Sequence, residues 1–556
     1  MIRPATRNVA SLTTNFSSDV AGMLAGLGVR HAFGVSGGGI GAVWRALIHA
    51  PTITTMHFRN EAGATFAAIE ASVELRGPVA VFCTTGPGIT NTLTGVAAAR
   101  AEGAKIVIVS GRTSSEQRGL GAVQETPMPS ADFFTPGWLF DEVFMLESSG
   151  ELPQIARRLQ HGFDCPGAYV AHLSIPVGLQ NAPSGQGPRL SEEYRLSGLF
   201  PAHAAVEEVI QLMTTKRFAV WVGHGARFAA RQVRALVDLA GVPVLATPRG
   251  KGIVPEFDPR YVMVTGLGGH EANLHHLERY APEFVLVLGT RLGEPSSGWN
   301  RRLVPPGGLV HVDIDATVPG TVFEGPVLAI QADIEAFLDQ VLLRADQIPH
   351  HGFVCPSPFP PRAAYRTEVG PIRPQAVLSA IQASVLDEGF PVLTEPGGSM
   401  AWASHLLKMA NPGQLRIVGS FGSMGQMVCG VIGAAVARQG PAVCLTGDGS
   451  MLMNNEINTA VEYNIPAVWV ILNNGRYQMC ETGMGFRPEE RHARFRECDF
   501  AGIARAMGAA GESIRTEHDL EPALRRALQR GSPGLLDVNL DTNALPPFES
   551  RFKTLK

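Results

Sequence analysis

The sequence predicts an α/β fold of three doubly wound parallel-sheet domains, and three observations carry that prediction. Short runs rich in Val, Ile and Leu recur along the chain, and most end in Gly, Thr, Ser or Asp. Each run is followed by a stretch able to form a helix. Two polar, Pro- and Gly-bearing linkers cut the chain into blocks of similar size. Nearly continuous apolar runs mark strands buried on both faces, which is how parallel sheets covered by helices read.

In order, the runs include "PVAVFCTTG" (Pro78–Gly86), "KIVIVSGR" (Lys105–Arg112), "FAVWVGHG" (Phe218–Gly225) and "FVLVLGTR" (Phe284–Arg291). "LVHVDID" (Leu309–Asp315), "AVCLTGDG" (Ala442–Gly449) and "AVWVILNN" (Ala467–Asn474) follow. The linkers are "NAPSGQGPRLSEE" (Asn181–Glu193) and "IPHHGFVCPSPFPPRAAYR" (Ile348–Arg366). They leave blocks at residues 8–180, 195–345 and 370–545, with no short-period repeat. Their similar size hints at related domains. Open α/β sheets bind ligands at the carboxyl ends of their strands, so the run ends are where chemistry is expected.

Composition narrows the function classes. With 45% hydrophobic and 17% charged residues the chain can build large cores. A net charge of −4 with no basic run argues against a nucleic-acid partner. Seven dispersed cysteines without a C-x-x-C pair argue against a disulfide framework or zinc site and fit a reducing, cytoplasmic setting. The apolar runs are well short of the roughly 20 residues of a membrane helix. The N-terminus, Ser/Thr-rich and mildly basic, weakly resembles a transit peptide; without an apolar segment it reads as a frayed end.

Two strand ends stand out in "TGDGSMLMNNEINTAVEYNIPAVWVILNNGRY" (Thr446–Tyr477). Asp448 and Asn474 would place a carboxylate and an amide oxygen at neighbouring strand ends, and the Arg476 backbone carbonyl lies just beyond. Hard oxygens completed by water and phosphate suit Mg²⁺. Gly447 and Gly449 allow close backbone approach, and Ser450 opens a helix whose N–H groups favour an anion. An amphipathic helix with Ile457, Ala460 and Val461 on one face is expected between the two ends. Tight turns alone would also explain an isolated Gly-Asp-Gly.

Gly447-Asp448-Gly449 with Asn473-Asn474 resembles the thiamine diphosphate motif. Likeness to the acetohydroxyacid synthase-like branch extends to "FGVSGGGIGAVWRAL" (Phe33–Leu47), "RNEAGATFAA" (Arg59–Ala68), "CTTGPGITNTLTGVAAA" (Cys83–Ala99), "PRGKGIVPE" (Pro248–Glu256) and "TEPGGSMAW" (Thr394–Trp402). The resemblance implies pyrimidine-binding, central and pyrophosphate-binding domains in the order of the three blocks. It also implies active sites shared between subunits of a homodimer or homotetramer, and small 2-oxo acid substrates.

Glu61 opens a helix behind Asn60, a plausible N-cap, and an acid there is favourable in any case. The small apolar residues after it would bury its carboxyl. In the family the matching Glu hydrogen-bonds the aminopyrimidine and drives removal of the thiazolium C2 proton. Met424, between Gly422 and Gly425, matches the bulky residue that bends the cofactor; a core methionine is the alternative. Gly397, Gly398 and Ser399 match a pyrophosphate-side loop, and Met479 a cofactor contact.

Decarboxylases of the pyruvate decarboxylase type use a His pair where this chain has "RTSSEQRGLGAVQETPMPS" (Arg112–Ser130), which lacks His. Val123-Gln124-Glu125 resembles the Phe-Gln-Glu of acetohydroxyacid synthases, with Gln124 expected to steer substrate carbonyls. Arg291 matches their acceptor-site Arg, although "LGEPSSGW" (Leu292–Trp299) replaces the usual acidic run. The Trp expected four residues after Met479 reads as Gly483, and the Phe before Gln124 as Val123. Small residues in place of large ones imply bulkier substrates, as in a specialised acyloin synthase. Gly38, Cys480 and Glu481 are further candidate substrate contacts; either of the latter two could relay a proton.

The central motifs "VGHGAR" (Val222–Arg227), "GLGGH" (Gly266–His270) and "LGTR" (Leu288–Arg291) resemble the surface that holds FAD in some relatives. Many relatives leave it empty, and an empty surface is expected here over FAD. The competing activities are a flavin-linked 2-oxo acid oxidase and a simple decarboxylase or lyase. Against typical acetohydroxyacid synthases, "MNNEIN" (Met453–Asn458) is one residue short, near Asn454-Asn455.

Overall fold

The computed structural model describes residues 15–125, 136–185, 198–453, 455–485 and 490–547. Its strands form three six-stranded sheets, and every pairing within them is parallel.

The first sheet is built from β1 (His31–Gly34), β2 (Thr54–His57), β3 (Val79–Cys83), β4 (Lys105–Arg112), β5 (Glu142–Met145) and β6 (Tyr169–Pro176), in the order β2-β1-β3-β4-β6-β5. The second holds β7 (Phe218–Val222), β8 (Val244–Ala246), β9 (Tyr261–Val264), β10 (Phe284–Leu288), β11 (Leu309–Asp313) and β12 (Val327–Gln331), in the order β12-β11-β10-β7-β8-β9. The third holds β13 (Val392–Thr394), β14 (Leu415–Ile417), β15 (Ala442–Gly447), β16 (Ala467–Asn473), β17 (Ala510–Ile514) and β18 (Gly534–Asn539), in the order β14-β13-β15-β16-β18-β17. The first and third sheets therefore share one topology. The second has the strand order of the dinucleotide-binding fold.

The apolar runs became strands for the expected reason. β3, β7, β10 and β16 are buried at every position, and each fully buried aliphatic side chain contributes roughly 1.5–3 kcal/mol. Trp469 fits inside β16 because its indole N–H donates to the Val428 carbonyl at 2.8 Å. β12 and β17, at sheet edges, are only partly buried; β17 carries no such apolar signature, whereas β12 reads Val-Leu-Ala-Ile-Gln.

One expected element differs. The run after β15 is two helices, Asp448–Met453 and Ile457–Glu462, instead of one. Between them Glu456 turns fully inward, and its carboxylate accepts from the Thr459 hydroxyl. Ile457 and Ala460 are buried as expected; Val461 is half-buried.

The chain divides into two compact units, residues 1–196 and 197–556. In the second, the two sheets' domains are joined by buried polar contacts. Lys251 and Glu256 pair at 2.8 Å, and Glu256 also accepts from the Met409 N–H and the Tyr261 hydroxyl, each at 2.8 Å. A buried ion pair persists when its remaining valences are satisfied in this way. The second linker runs between these domains without helix or strand; residues 186–193 of the first linker lie outside the described residues.

Candidate active site

The third sheet brings Asp448 and Asn474 together as the sequence predicts. β15 and β16 are paired along their length, so both chains leave the sheet side by side. The Asp448 carboxylate is 2% exposed. One oxygen accepts from the Gly449 N–H at 2.8 Å; the other accepts from the Asn474 and Gly475 N–H groups at 2.9 and 2.6 Å. Burial pushes this carboxyl up, and the backbone N–H groups oppose the shift. The turn reading of Gly-Asp-Gly is thus geometrically real: the side chain clasps the two strand ends.

An oxygen is left over. Asn474 donates its amide N–H to Gln478 at 3.2 Å, while its Oδ1 is buried and meets no partner. An orphaned buried acceptor beside a buried carboxylate is a donor set for a hard cation. Among the described residues no group of three His, Cys, Asp or Glu could hold a metal alone. A cation here would take further ligand oxygens from elsewhere, and a diphosphate is one group that would supply them. The residues fit Mg²⁺ with thiamine diphosphate.

One glycine beside the Asp448 carboxylate is demanded by close approach and another by its backbone angle. A Cβ on Gly449 would lie 2.4 Å from the Tyr477 ring. Gly397 has φ +112° and leads into the helix Gly398–Leu406, whose N-terminus carries no side-chain cap. A Cβ on Gly397 would lie 3.7 Å from the Met479 sulfur, and the Ser399 hydroxyl donates to the Glu395 carbonyl at 2.9 Å. Met424 and Gly422, with φ +65°, lie in the exposed loop before the helix Gln426–Arg438.

Sequence reasoning missed Glu395 as a site residue, although it lies inside a quoted motif. It is fully buried just past β13. Burial pushes its carboxyl up to about 7, against backbone N–H groups of Val428, Gly425 and Met427 and the Ser450 hydroxyl. A lone Glu before Pro-Gly-Gly carries no local signal that its partners lie thirty residues on.

In the first unit, Glu61 opens the helix Glu61–Leu75 and is 7% exposed. Asn60 is its N-cap, accepting from the Ala62 N–H at 2.8 Å. Asn91, not foreseen, donates its amide to Glu61 Oε2 at 3.0 Å. Gln124 adopts φ +61°, uncommon for a side-chain-bearing residue. Its carbonyl oxygen accepts from the Thr84 and Thr85 hydroxyls at 3.2 and 3.3 Å. A Cβ on Gly37 would lie 2.7 Å from the Thr84 hydroxyl, so the loop carrying Gly38 meets the same threonines. Val123 is 91% exposed.

Beyond Asn474, Arg476 and Arg494 bind opposite oxygens of the buried Glu481 at 2.6 and 2.5 Å. Burial opposes ionisation of Glu481, but the two guanidinium groups outweigh it and hold the carboxyl below its ordinary value. These three residues line a cavity of about 260 Å³ with Gln478 and Thr482. Cys480 is exposed and Gly483 half-buried on the helix Gln478–Gly483. Arg291, past β10, is largely exposed and 4.0 Å from Asp315. The loops after β7 and β10 bond directly, Gly225 N–H to Gly289 O at 2.9 Å.

Comparison with known proteins defines the class. The chain matches the family models of the thiamine pyrophosphate enzymes in all three parts: the N-terminal TPP binding domain at residues 14–132, the central domain at 206–341 and the C-terminal TPP binding domain at 395–538. It belongs to that family. Within it the chain is similar to the acetolactate synthase isozyme 1 large subunit of Escherichia coli K12, 25% identical over 92% of each chain. It is 27% identical to the isozyme 2 large subunit of the same organism, over 92% of this chain and 93% of that one. Acetolactate synthase 1, chloroplastic, of Zea mays is 26% identical, over 92% of this chain and 83% of the relative. The chain is a thiamine pyrophosphate-dependent enzyme of the acetolactate synthase-like branch.

Proposed function

We propose that this enzyme is a carboligase that decarboxylates a 2-oxo acid and joins the acyl carbanion to a second carbonyl, with donors or acceptors bulkier than pyruvate. The main support is the near full-length likeness to acetolactate synthases. Bulkier substrates are inferred from Gly483 and Val123, where a Trp and a Phe are expected. Thiamine diphosphate supplies the electron sink that stabilises an acyl carbanion.

The chain's own residues do the rest. Glu61 would hold a proton toward the aminopyrimidine of the bound cofactor, and Asn91, donating to its Oε2, would fix which way its carboxyl faces. Asp448, the free Oδ1 of Asn474 and the Arg476 backbone carbonyl would hold Mg²⁺. Gly397, Gly398, Ser399, Gly447, Gly449 and Ser450 would face the diphosphate, and Gly422, Met424 and Met479 the rings. Gln124 and Gly38 would meet the substrate carbonyl, with Val123, Arg291, Cys480 and Gly483 shaping its space. Glu481, with both oxygens held by guanidinium groups, is suited to fixing Arg476 and Arg494 rather than relaying a proton. A second copy of the chain would complete the site in a homodimer or homotetramer.

Mass spectrometry of products from paired 2-oxo acids, with thiamine diphosphate and Mg²⁺, tests this reading. Coupled products from larger pairs are expected in preference to acetolactate. Free aldehyde without coupling would show a decarboxylase, and yellow protein consuming oxygen would show a flavin-linked oxidase.

A further inference from the structure

The helix Gln426–Arg438 begins without a cap of its own. Its N-cap residue is Gly425, at φ +86°, which has no side chain to accept the first N–H groups. Glu395 does so from another strand end. One carboxylate oxygen accepts from Gly425 N–H at 2.8 Å, and the other from Met427 and Val428 N–H at 2.5 and 2.9 Å. The Ser450 hydroxyl donates to the same carboxylate.

Two consequences follow. First, the protein's own anion fills this helix N-terminus, so the helix does not offer it to a phosphate. Second, a single buried group ties together two parts of the site. Gly425 directly follows Met424, and Ser450 lies two residues past Asp448.

We propose that Glu395 is a positioning residue that sets the Met424 loop at a fixed height against the Gly447–Ser450 turn. The proposal rests on the reading of Met424 as the side chain against which bound thiamine diphosphate is bent. Glu395 itself touches neither cofactor nor substrate in this account. It acts through Met424, so its effect must depend on Met424 being present.

A double-mutant cycle in the full-length protein tests that dependence. Wild type, Glu395→Gln, Met424→Ala and the double variant are compared by calorimetric affinity for thiamine diphosphate with Mg²⁺. The rate of C2 proton–deuteron exchange of the bound cofactor is the second readout; neither needs a substrate. Glu395→Gln keeps the shape but turns an N–H₂ toward backbone donors. It should weaken affinity and slow exchange by about tenfold each, the loss of one or two buried hydrogen bonds. Met424→Ala should slow exchange comparably, and the double variant should be no worse than Met424→Ala. Effects that multiply in the double variant, or a Glu395→Gln protein with wild-type affinity and exchange, would overturn the proposal. Unchanged exchange in Met424→Ala alone would overturn the reading of Met424, and that is visible without any Glu395 variant. Glu395→Asp, which keeps the charge, should recover part of the loss, and it substitutes in the cycle if Glu395→Gln fails to fold. Glu517→Gln, another buried carboxylate of the same domain, controls for lost stability: it should lower the melting temperature and leave cofactor affinity unchanged.

Discussion

At the residue scale, the proposed chemistry rests on a few polar side chains, of which Glu61 is buried and Gln124 exposed. Glu61 is held by one neighbour, Asn91, rather than by a charge. Replacing Glu61 with Gln should lower turnover by about 10²–10⁴-fold, the usual contribution of a general acid–base group. Cofactor affinity should change little, and steady-state kinetics beside calorimetry separates the two effects. Asn474 carries the unpartnered oxygen, so Asn474→Ala should weaken Mg²⁺-dependent cofactor binding by at least about tenfold. Titrating the metal at fixed cofactor would show this; an unchanged metal requirement would remove Asn474 from the ligand set. Gln124 holds a left-handed backbone. Gln124→Gly should leave stability equal or up to about 1 kcal/mol higher while coupling yield falls, because glycine adopts that conformation without strain. Thermal melts paired with product analysis would check both halves.

At the element scale, carboxylates act as clasps between segments distant in the chain. Glu395 caps a helix in trans, and Asp448 joins two strand ends. Glu517 does the same for the second linker: it accepts from Arg366 N–H at 2.7 Å and from the Arg373 guanidinium at 2.8 and 2.5 Å. Burial pushes Glu517 up, yet the Arg373 side chain and the backbone N–H groups prevail and hold it down to about 2. A carboxyl lowered in the folded state stabilises the protein above its unfolded value and loses that contribution as it becomes protonated. Glu517→Gln should therefore cost roughly 3 kcal/mol near neutral pH. The difference from wild type should shrink as pH falls from about 4.5 and vanish near pH 2. Denaturant melts across that range would measure it, and a difference independent of pH would refute the assignment.

At the scale of the whole molecule, the first and third sheets have the same strand order, and the second differs. Glu61 lies beyond the second strand of the first sheet, whereas Asp448 lies beyond the third strand of the third sheet. If a second copy of the chain completes each site, these residues can be supplied by different subunits. Two inactive variants, Glu61→Gln and Asp448→Asn, should then regain activity when unfolded and refolded together. Random pairing gives half mixed dimers with one intact site each, or about a quarter of wild-type activity. No recovery would place both residues of a site in one subunit.

Much of this could be read from the chain directly. Parallel strands buried on both faces must be apolar throughout, so β3, β4, β7, β10, β11, β15 and β16 were visible as runs of Val, Ile and Leu. The strand-end Asp448 and Asn474 were visible because a site at a strand terminus is local in sequence. Glu61 at the head of its helix was visible for the same reason. The edge strand β17 was not, since a half-exposed strand has no reason to be apolar. Nor were the partners of Glu395, Asn91 and Glu481. Those contacts join residues 32, 30 and 13 positions apart through the sheet order and loop paths, as with Glu395 and Met427, Glu61 and Asn91, or Glu481 and Arg494. The sequence by itself determined the fold class, the family and the strand ends that carry the cofactor motif. Only the tertiary structure decided which buried carboxylates are clasps and which oxygen stays open. That choice depends on which N–H groups arrive at each carboxylate, and chain topology brings them there.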